Sequence, residues 1–295
     1  MRKPAVPLEP IAPITRRQVW LCRPNFEAYL FEELEREKRS PRMLGAGAVE
    51  SEPAVEPVFG RAAFTAVDAL GAQGTVEAWT LDTPLANGCS QAVRAAAEAL
   101  ELAPGPKRFV LCAFSPALTV KGADPIGGPR RMKREGDAIS RASLKLEEAF
   151  EWLGDAPGRA ETCVDLGAAP GGWTQRLLAR GARVVAVDPA KLKVPASPKL
   201  RHVQDSAFRY APEEPVEWLF CDMAWRPLEV AQLLAKWGRH RWAIRTVSNI
   251  KLPMKDKWPT LDRVRETLEQ GGWRDVKMRQ LYHDRDEVTL TARSY

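Results

Sequence analysis

The sequence predicts an α/β protein in which a doubly wound domain with a mixed, mainly parallel sheet follows a small α+β module. From Ala142 onward, short apolar segments alternate with helical segments, the pattern of a parallel sheet with helices on both faces. Residues 164–188, VDLGAAPGGWTQRLLARGARVVAVD, predict a strand, a glycine-rich turn, a helix and a second strand that ends in an acid. Residues before 129 lack this alternation, which predicts a separate first module.

Composition excludes several classes of protein. The 295 residues are 45% hydrophobic and 28% charged, an ordinary globular balance. No apolar run approaches the roughly 20 residues that span a bilayer, and the proline-rich start lacks the apolar core of a secretory signal. Five cysteines and three histidines show no zinc-site spacing, so we expect no metal, reduced thiols and a cytoplasmic location. The net charge of +6 permits an acidic partner such as nucleic acid.

The N-terminal part is predicted to contain a flexible tail, residues 1–17, and an α+β region, residues 18–128. The predicted elements are a strand at 19–22, a helix in NFEAYLFEELEREKR, a strand in TVEAWTLD, a helix in SQAVRAAAEALEL and strands in KRFVLCAFS and LTVKGA. Glycine, proline and serine break the pattern over 40–57, which predicts a loop there.

A basic linker is predicted over residues 129–140, because Arg130, Arg131, Lys133 and Arg134 lie among glycines and prolines. The domain that follows, 141–295, begins with the helix ASLKLEEAFEWL. Its predicted strands are ETCVDLG, RVVAVD, EWLFCDM and RTVSNIKL, and its further helices are GWTQRLLARG, PLEVAQLLAKWG and LDRVRETLEQGG. The final segment VKMRQLYHDRDEVTLTAR has no helix between two apolar stretches, so we expect a terminal hairpin that makes the sheet mixed.

The glycine-rich turn is tested first against phosphate-binding loops. A P-loop requires a lysine after its last glycine, and Trp173 stands there instead. In the dinucleotide fingerprint the second glycine lets a pyrophosphate approach, and Ala169 occupies that position. Pro170 stiffens the turn and removes a backbone donor. The sequence therefore disfavours a diphosphate.

S-adenosylmethionine is the ligand that fits the remaining features. Asp165 ends the first strand and can face the ammonium group or its water shell, and Asp188 ends the second, where an acid can accept both ribose hydroxyls. Asp205 follows a third candidate strand and is expected to bind the adenine amino group. A single aspartate is more often a helix cap or a solvated loop residue, but three acids at successive strand ends beside a glycine loop favour a site.

Four ordered segments, DLGAAPGGWT, CDM, NIKLPMK and QLYHDRDEVT, resemble the FtsJ-like RNA methyltransferases, and among them the RlmM-type enzymes that methylate a ribose 2′-oxygen of bacterial 23S rRNA. The resemblance is strong from Arg141 to the C-terminus and weaker before it. It implies a Rossmann-like S-adenosylmethionine-dependent methyltransferase domain after a shortened, THUMP-like RNA-binding region.

The resemblance also implies a cofactor site and a catalytic centre. Ala142 stands where the family tends to have a serine, so we expect that contact to be absent or to move to Ser143. The predicted cofactor-binding residues are Ser143, Asp165, Gly167, Ala169, Pro170, Gly171, Gly172, Trp173, Asp188, Asp205 and Asp222. The implied catalytic residues are Lys145, Asp222, Lys251 and Glu287.

A ribose hydroxyl is a poor nucleophile at neutral pH, so a group must accept its proton during attack. The resemblance implies that Lys251 is this acceptor, that Lys145 lowers its pKa, that Asp222 orients it and that Glu287 places the ribose or an amine. Individually, a lysine after a strand is usually solvated, and Lys145 could pair on the surface with a glutamate three residues on.

Aromatic and cationic residues at the same rim, Trp225, Arg226 and the segment LPMKDKW, predict contact with unpaired RNA. The expected partner is 23S rRNA, with no DNA and no membrane, and a monomer is favoured. Because the N-terminal region is shortened, two alternatives stay open: the same reaction on another RNA such as tRNA, and a non-catalytic RNA-binding protein that retains the fold.

Overall fold

The structure is a computed structural model, and it describes residues 10–11, 18–23, 25–45, 48–54, 56–70, 77–80, 109–114, 118–123, 139–140 and 142–294. The chain separates into two compact units, Met1–Arg130 and Arg131–Tyr295. The predicted linker cations and the helix in SQAVRAAAEALEL lie outside the described residues. No helix in these described stretches is long and apolar enough to cross a membrane.

The N-terminal unit contains one described helix and a sheet of antiparallel strands. These elements are β1 Pro10–Ile11, β2 Gln18–Leu21, α1 Glu27–Arg36, β3 Arg42–Gly45, β4 Ala48–Ser51, β5 Ala62–Leu70, β6 Glu77–Thr80, β7 Phe109–Phe114 and β8 Leu118–Ala123. The sheet has the order β3-β4-β2-β5-β8-β7-β6, and β1 pairs with β5. Within the predicted tail, Pro10 and Ile11 are therefore paired with Leu70 and Ala69.

The prediction of a loop over 40–57 is wrong. Its residues form the antiparallel pair β3 and β4, with Met43 opposite Val49, and β4 pairs in turn with β2. Val49 is fully buried, which gives this strand a core contact despite the glycines around it. A strand pair of only four residues on each side carries too little periodicity to stand out against glycine and serine.

The C-terminal unit alternates strands and helices as predicted. Its elements are α2 Ala142–Leu153, β9 Thr162–Leu166, α3 Gly172–Ala179, β10 Arg183–Val187, β11 Leu200–Val203, β12 Val216–Cys221, α4 Pro227–Arg239, β13 Ala243–Lys251, α5 Lys257–Gln270, β14 Trp273–Arg279 and β15 Glu287–Ser294. Strands β9–β13 are parallel to one another, whereas β15 lies antiparallel between β13 and β14. The predicted mixed sheet and terminal hairpin are confirmed.

The strand order β11-β10-β9-β12-β13-β15-β14 reverses direction between β9 and β12. In doubly wound sheets, ligands bind at the carboxyl ends of the strands beside such a reversal. The register aligns three strand ends in one row, with Val187 beside Leu166 and Leu166 beside Cys221, and β13 extends three residues beyond Ser248, the partner of Cys221. The residues that follow these ends therefore share one rim of the sheet.

An aromatic core under this rim holds the sheet against α2 and α3. Trp218 and Phe220 of β12 stack with ring centroids 5.8 Å apart, and Phe150 and Trp173 meet Phe220 edge-on. All four rings are buried. Burying such side chains stabilises a fold by about 2–3 kcal/mol each, so the core fixes the two helices that carry site residues.

Candidate active site

The glycine-rich turn joins β9 to α3 in a conformation that requires its glycines. Gly167 has φ +74° and donates its N–H to the Val187 carbonyl at 2.9 Å. Gly171 has φ +114°, and a Cβ there would lie 2.3 Å from the Val194 side chain. A side chain at either position would meet both steric contact and backbone strain. The turn therefore has a fixed shape that leads into the N-terminus of α3.

Asp188 ties the end of β10 to this turn. One carboxylate oxygen accepts the Ala169 N–H at 3.1 Å, and the other accepts the Ala190 N–H at 2.8 Å. A carboxylate has about four acceptor positions, so both oxygens retain capacity for further donors such as hydroxyls. The sequence placed Asp188 beside the turn, and the geometry shows how it orients the loop.

Asp165 is buried beneath the turn and accepts a hydrogen bond from the Thr174 hydroxyl at 2.6 Å. Burial raises the pKa of Asp165 to about 7, with smaller contributions from the negative charges of Asp222 and Asp188 and an opposing one from Thr174. The carboxylates of Asp222 and Asp188 therefore lie close enough to Asp165 to disfavour its negative charge. Their shared negative field suits a cationic ligand.

Ser143 and Trp173 lie in the protein core rather than beside an open space. The Ser143 hydroxyl is fully buried and donates to the Ser140 carbonyl at 2.8 Å. The buried Trp173 indole donates to the Ala142 carbonyl at 2.8 Å, which ties α3 to α2. The structure thus gives both predicted cofactor-binding side chains a packing role.

Asp205 lies two residues beyond the end of β11, and its side chain is partly exposed. Its carboxylate accepts hydrogen bonds from the Arg209 guanidinium and from the Ser206 N–H. The bond from Arg209 holds the pKa of Asp205 below its usual value. Its binding to an adenine amino group stays a prediction.

The four implied catalytic residues meet in one cluster. Lys145 and Lys251 each donate to a different oxygen of the Glu287 carboxylate, and Lys251 Nζ also lies 3.5 Å from Asp222 Oδ1. Glu287 is 4% exposed, and the Lys145 side chain is 14% exposed. The alternative of a surface pair between Lys145 and the glutamate three residues on is wrong, because the Lys145 ammonium is largely buried against Glu287.

The topology explains this convergence across 142 residues of sequence. Asp222 directly follows β12, and Lys251 ends the neighbouring strand β13. Glu287 begins β15, where the antiparallel register places it opposite Lys251. The helix α2 supplies Lys145 from above the same edge.

Charges within the cluster shift two pKa values in opposite directions. Burial alone would raise the pKa of Glu287, but the charges and hydrogen bonds of Lys145 and Lys251 outweigh it and lower that pKa. Burial likewise would lower the pKa of Lys251, but Asp222 and Glu287 outweigh it and raise that pKa. In the free protein, the two carboxylates that face Lys251 therefore raise its pKa, and a lowering of that pKa by Lys145 stays a prediction.

Sequence reasoning missed a hydrogen-bonded chain behind Asp222. The Asn249 amide Nδ2 donates to Asp222 Oδ1 at 3.1 Å, and Thr289 Oγ1 lies 2.9 Å from Asn249 Oδ1. Thr289 Oγ1 also lies 3.0 Å from Asp284 Oδ2. The signal was present: Asn249 precedes Lys251 by two residues and Thr289 follows Glu287 by two, so paired strands place both pairs on one face.

Glu148 was also missed as a site-supporting residue. It lies in α2 three residues after Lys145, and it accepts the backbone N–H groups of Tyr282 at 2.6 Å and His283 at 3.1 Å. His283 Nδ1 lies 2.9 Å from the same carboxylate. Glu148 therefore fastens the loop before Glu287 to the helix that carries Lys145.

The rim beside the cluster exposes large side chains. Trp225, three residues after Asp222, is 50% exposed, and Met254, three residues after Lys251, is 94% exposed. The Trp225 indole donates to Glu229 at 2.6 Å and its ring centroid lies 5.7 Å from that of Phe208. An exposed indole is thereby held in one orientation.

Comparison with known proteins places this architecture among methyltransferases. Residues 138–253 match the FtsJ-like methyltransferase family, a range that contains the glycine turn, Lys145, Asp222 and Lys251. Residues 138–253 therefore form an FtsJ-like methyltransferase domain, which confirms the resemblance to that family. S-adenosyl-L-methionine is the methyl donor of this domain.

Several relatives carry the name "Ribosomal RNA large subunit methyltransferase M". The protein from Laribacter hongkongensis is 44% identical over 178 residues, which cover 55% of this chain and 50% of the relative. The protein from Alkalilimnicola ehrlichii is 38% identical over 221 residues, covering 68% of this chain and 60% of the relative. The protein from Aromatoleum aromaticum is 42% identical over 204 residues, which cover 64% of this chain and 54% of the relative. The chain thus spans about half to three fifths of these relatives.

Proposed function

We propose that this chain is an S-adenosylmethionine-dependent RNA 2′-O-ribose methyltransferase whose target is a cytidine of bacterial 23S rRNA. The cluster of Lys145, Glu287, Lys251 and Asp222 beside the glycine turn carries the proposal. Such a cluster offers amines and carboxylates for moving a proton, at the strand ends where a nucleoside ligand fits. The names of the relatives support RNA of the large ribosomal subunit as the substrate.

The cofactor would lie along the turn, with its cationic part near Asp165 and Asp222 and its ribose near Asp188. The repulsion of the Asp165 carboxylate by Asp222 and Asp188 supports this arrangement, since a nearby cation relieves it. The spare acceptor positions of Asp188 support contact with ribose hydroxyls. When bound, S-adenosylmethionine supplies a methyl group on a positively charged sulfur.

Lys251 would accept the proton of the RNA 2′-hydroxyl as the oxygen attacks that methyl group. Glu287 holds the Lys251 and Lys145 ammonium groups on its two oxygens, so it fixes the direction from which Lys251 reaches the hydroxyl. Lys251 must first be neutral. With the cofactor bound, Asp222 would face both the Lys251 ammonium and the cofactor cation. The positive charge of the cofactor would then lower the pKa of Lys251 relative to the free protein.

The RNA would bind along the exposed rim. Trp225 offers a flat ring for stacking an unpaired base, and the 84% exposed side chain of Arg226 offers a charge for phosphate. The N-terminal region 18–128 would act as a THUMP-like RNA-binding region, with the basic segment 129–140 as its linker to domain 141–295. A cytoplasmic monomer suffices, since one chain supplies all four catalytic residues.

The test is to incubate the protein with labelled S-adenosylmethionine and deproteinised 23S rRNA, 16S rRNA or tRNA, and to map alkali-resistant linkages. We expect label on a ribose of 23S rRNA only. Lys251→Ala should abolish it, while Lys277→Ala, at an exposed position of β14, should not. Label on a base contradicts the reaction, label on tRNA alone contradicts the target, and RNA binding without label indicates a non-catalytic protein.

A further inference from the structure

A single oxygen, Asp222 Oδ1, is shared by two donors from β13. The Asn249 amide donates to it at 3.1 Å, and Lys251 Nζ lies 3.5 Å from it. Asn249 is buried, whereas the Lys251 side chain is 33% exposed. The shorter contact therefore comes from the more rigidly held group, and it limits how closely Asp222 can approach the ammonium.

The orientation of the Asn249 amide is fixed from β15. Its Nδ2 must face Asp222 to donate, which leaves Oδ1 facing the Thr289 hydroxyl at 2.9 Å. The Thr289 hydroxyl has one hydrogen but lies between two acceptors, Asn249 Oδ1 and Asp284 Oδ2. The Thr289 hydrogen can be given fully to Asn249 Oδ1 only if Asp284 is protonated and itself donates a hydrogen bond to the Thr289 oxygen.

The surroundings of Asp284 agree with a neutral acid. Burial raises the pKa of Asp284 to about 8, the nearby Glu287 charge adds to this, and the Leu281 N–H, Lys145 and Thr289 oppose it. Every donor in the chain then points towards the cluster, from Asp284 through Thr289 and Asn249 to Asp222. Directed chains of this kind strengthen one another in a buried setting.

We propose that Asn249, oriented by Thr289 and Asp284, is a positioning residue that restrains Asp222 and so sets how firmly Asp222 holds the Lys251 ammonium. The inference rests on the proposed function, in which Lys251 must become neutral. Without the Asn249 amide, Asp222 is free to close on Lys251, and the ammonium form becomes more stable. Loss of Asn249 therefore lowers the fraction of neutral Lys251 at a given pH.

The experiment compares Asn249→Ala and Thr289→Val with the wild-type protein, using Thr289→Ser as the conservative variant. Thr246→Val is the matched control, because Thr246 is a buried threonine of β13 whose hydroxyl bonds Ser248 outside the cluster. In Asn249→Ala, we expect the rising limb of the plot of kcat against pH to move to a pH about one unit higher. At a given pH on that limb, kcat should therefore be about tenfold lower than in the wild type. Thr289→Val should move the limb in the same direction by less, and Thr289→Ser should restore it.

A second measurement separates this inference from the proposed function. The Lys251 side-chain NMR signal, assigned by its loss in Lys251→Arg, is followed through a pH titration of the free protein. We expect Asn249→Ala to raise the titration midpoint even if no RNA is methylated. An unchanged midpoint in a folded variant, or an equal shift in Thr246→Val, overturns the inference. A shifted midpoint in a protein without activity leaves the inference standing and overturns the proposed function.

Discussion

Glu33 in the N-terminal unit and Glu287 in the C-terminal unit are both buried, with 8% and 4% exposure. Glu33 accepts hydrogen bonds from two neutral donors, the backbone N–H groups of Val58 at 2.8 Å and Phe59 at 3.4 Å. Glu287 faces two ammonium groups. Burial raises the pKa of Glu33 to about 8, whereas the lysines reverse the effect of burial and lower the pKa of Glu287.

The partners of a buried carboxyl, rather than its burial alone, therefore decide whether it is ionised. Glu33 is mostly uncharged at neutral pH and holds the loop after residue 56 against α1, a structural role. Glu287 is ionised and holds two cations at a solvent-accessible rim. A buried ionic cluster contributes little to stability relative to apolar packing, so its presence at the ends of the strands favours a functional explanation.

Glu287→Gln should reduce stability and activity far more than Glu33→Gln does. The first change leaves the ammonium groups of Lys145 and Lys251 without their carboxylate, so we expect about 3 kcal/mol lower stability and roughly 100-fold lower kcat. The second replaces an acid that is already mostly neutral, so the loss at pH 7 should stay within about 1 kcal/mol. Urea unfolding and the RNA methylation assay measure both. Equal losses of stability would show that the two glutamates do not differ in charge.

Lys145→Met should raise the pKa of Glu287 towards that of Glu33. The largest source that lowers the pKa of Glu287 is removed, so burial prevails and the pKa rises. In the wild type the lowered pKa gives stability that is present above the unfolded value and is lost as pH falls through the folded value. The variant should lose that dependence and be about 2 kcal/mol less stable at pH 7. Urea unfolding between pH 3 and 7 measures it, and a retained acid dependence would contradict it.

Glu33 itself should give the opposite pH dependence. The folded pKa of Glu33, about 8, lies above the ordinary value of 4.5, so the folded state binds the proton more tightly. Stability from this group is therefore full below pH 4.5 and is lost as pH rises through 8, with a slope of at most about 1.4 kcal/mol per pH unit. Hydrogen exchange of the Val58 and Phe59 amides should accelerate beyond its intrinsic pH dependence. Glu33→Gln should abolish that excess, whereas Glu32→Gln, at a neighbouring position of α1, should leave it.

The C-terminal fold was predictable because its strands are apolar runs separated by helices of clear periodicity. The pair β3 and β4 was not predictable in the same way, since RMLG and AVES carry no such signal. The long-range pairing with β2, the burial of Val49 and the ion pair between Arg42 of β3 and Glu50 of β4 stabilise them as strands.

The members of the site were predictable and its electrostatics were not. The family resemblance implied Lys145, Asp222, Lys251 and Glu287 together, and they meet in the structure. The pKa of Lys251 depends on which charges lie nearest, and that is decided by the register of β13 against β15. Trp173 and Ser143 were predicted to bind the cofactor, but their side chains are buried in the protein core.

A smaller effect is expected for Thr174→Val, which changes the surroundings of Asp165 in the C-terminal unit. Asp165 is a buried carboxyl like Glu287, but its side-chain partner is the neutral Thr174 hydroxyl, so it belongs with Glu33. Thr174→Val removes a hydrogen bond that lowers the pKa of Asp165, so that pKa should rise further above about 7. Because the bond favours the ionised acid, we expect a loss of about 1 kcal/mol at pH 9 and less at pH 5. Urea unfolding at the two pH values measures it, with Thr174→Ser as the control that keeps the hydroxyl. An equal loss at both pH values would mean that Thr174 contributes packing alone, and that Asp165 does not change its charge between them.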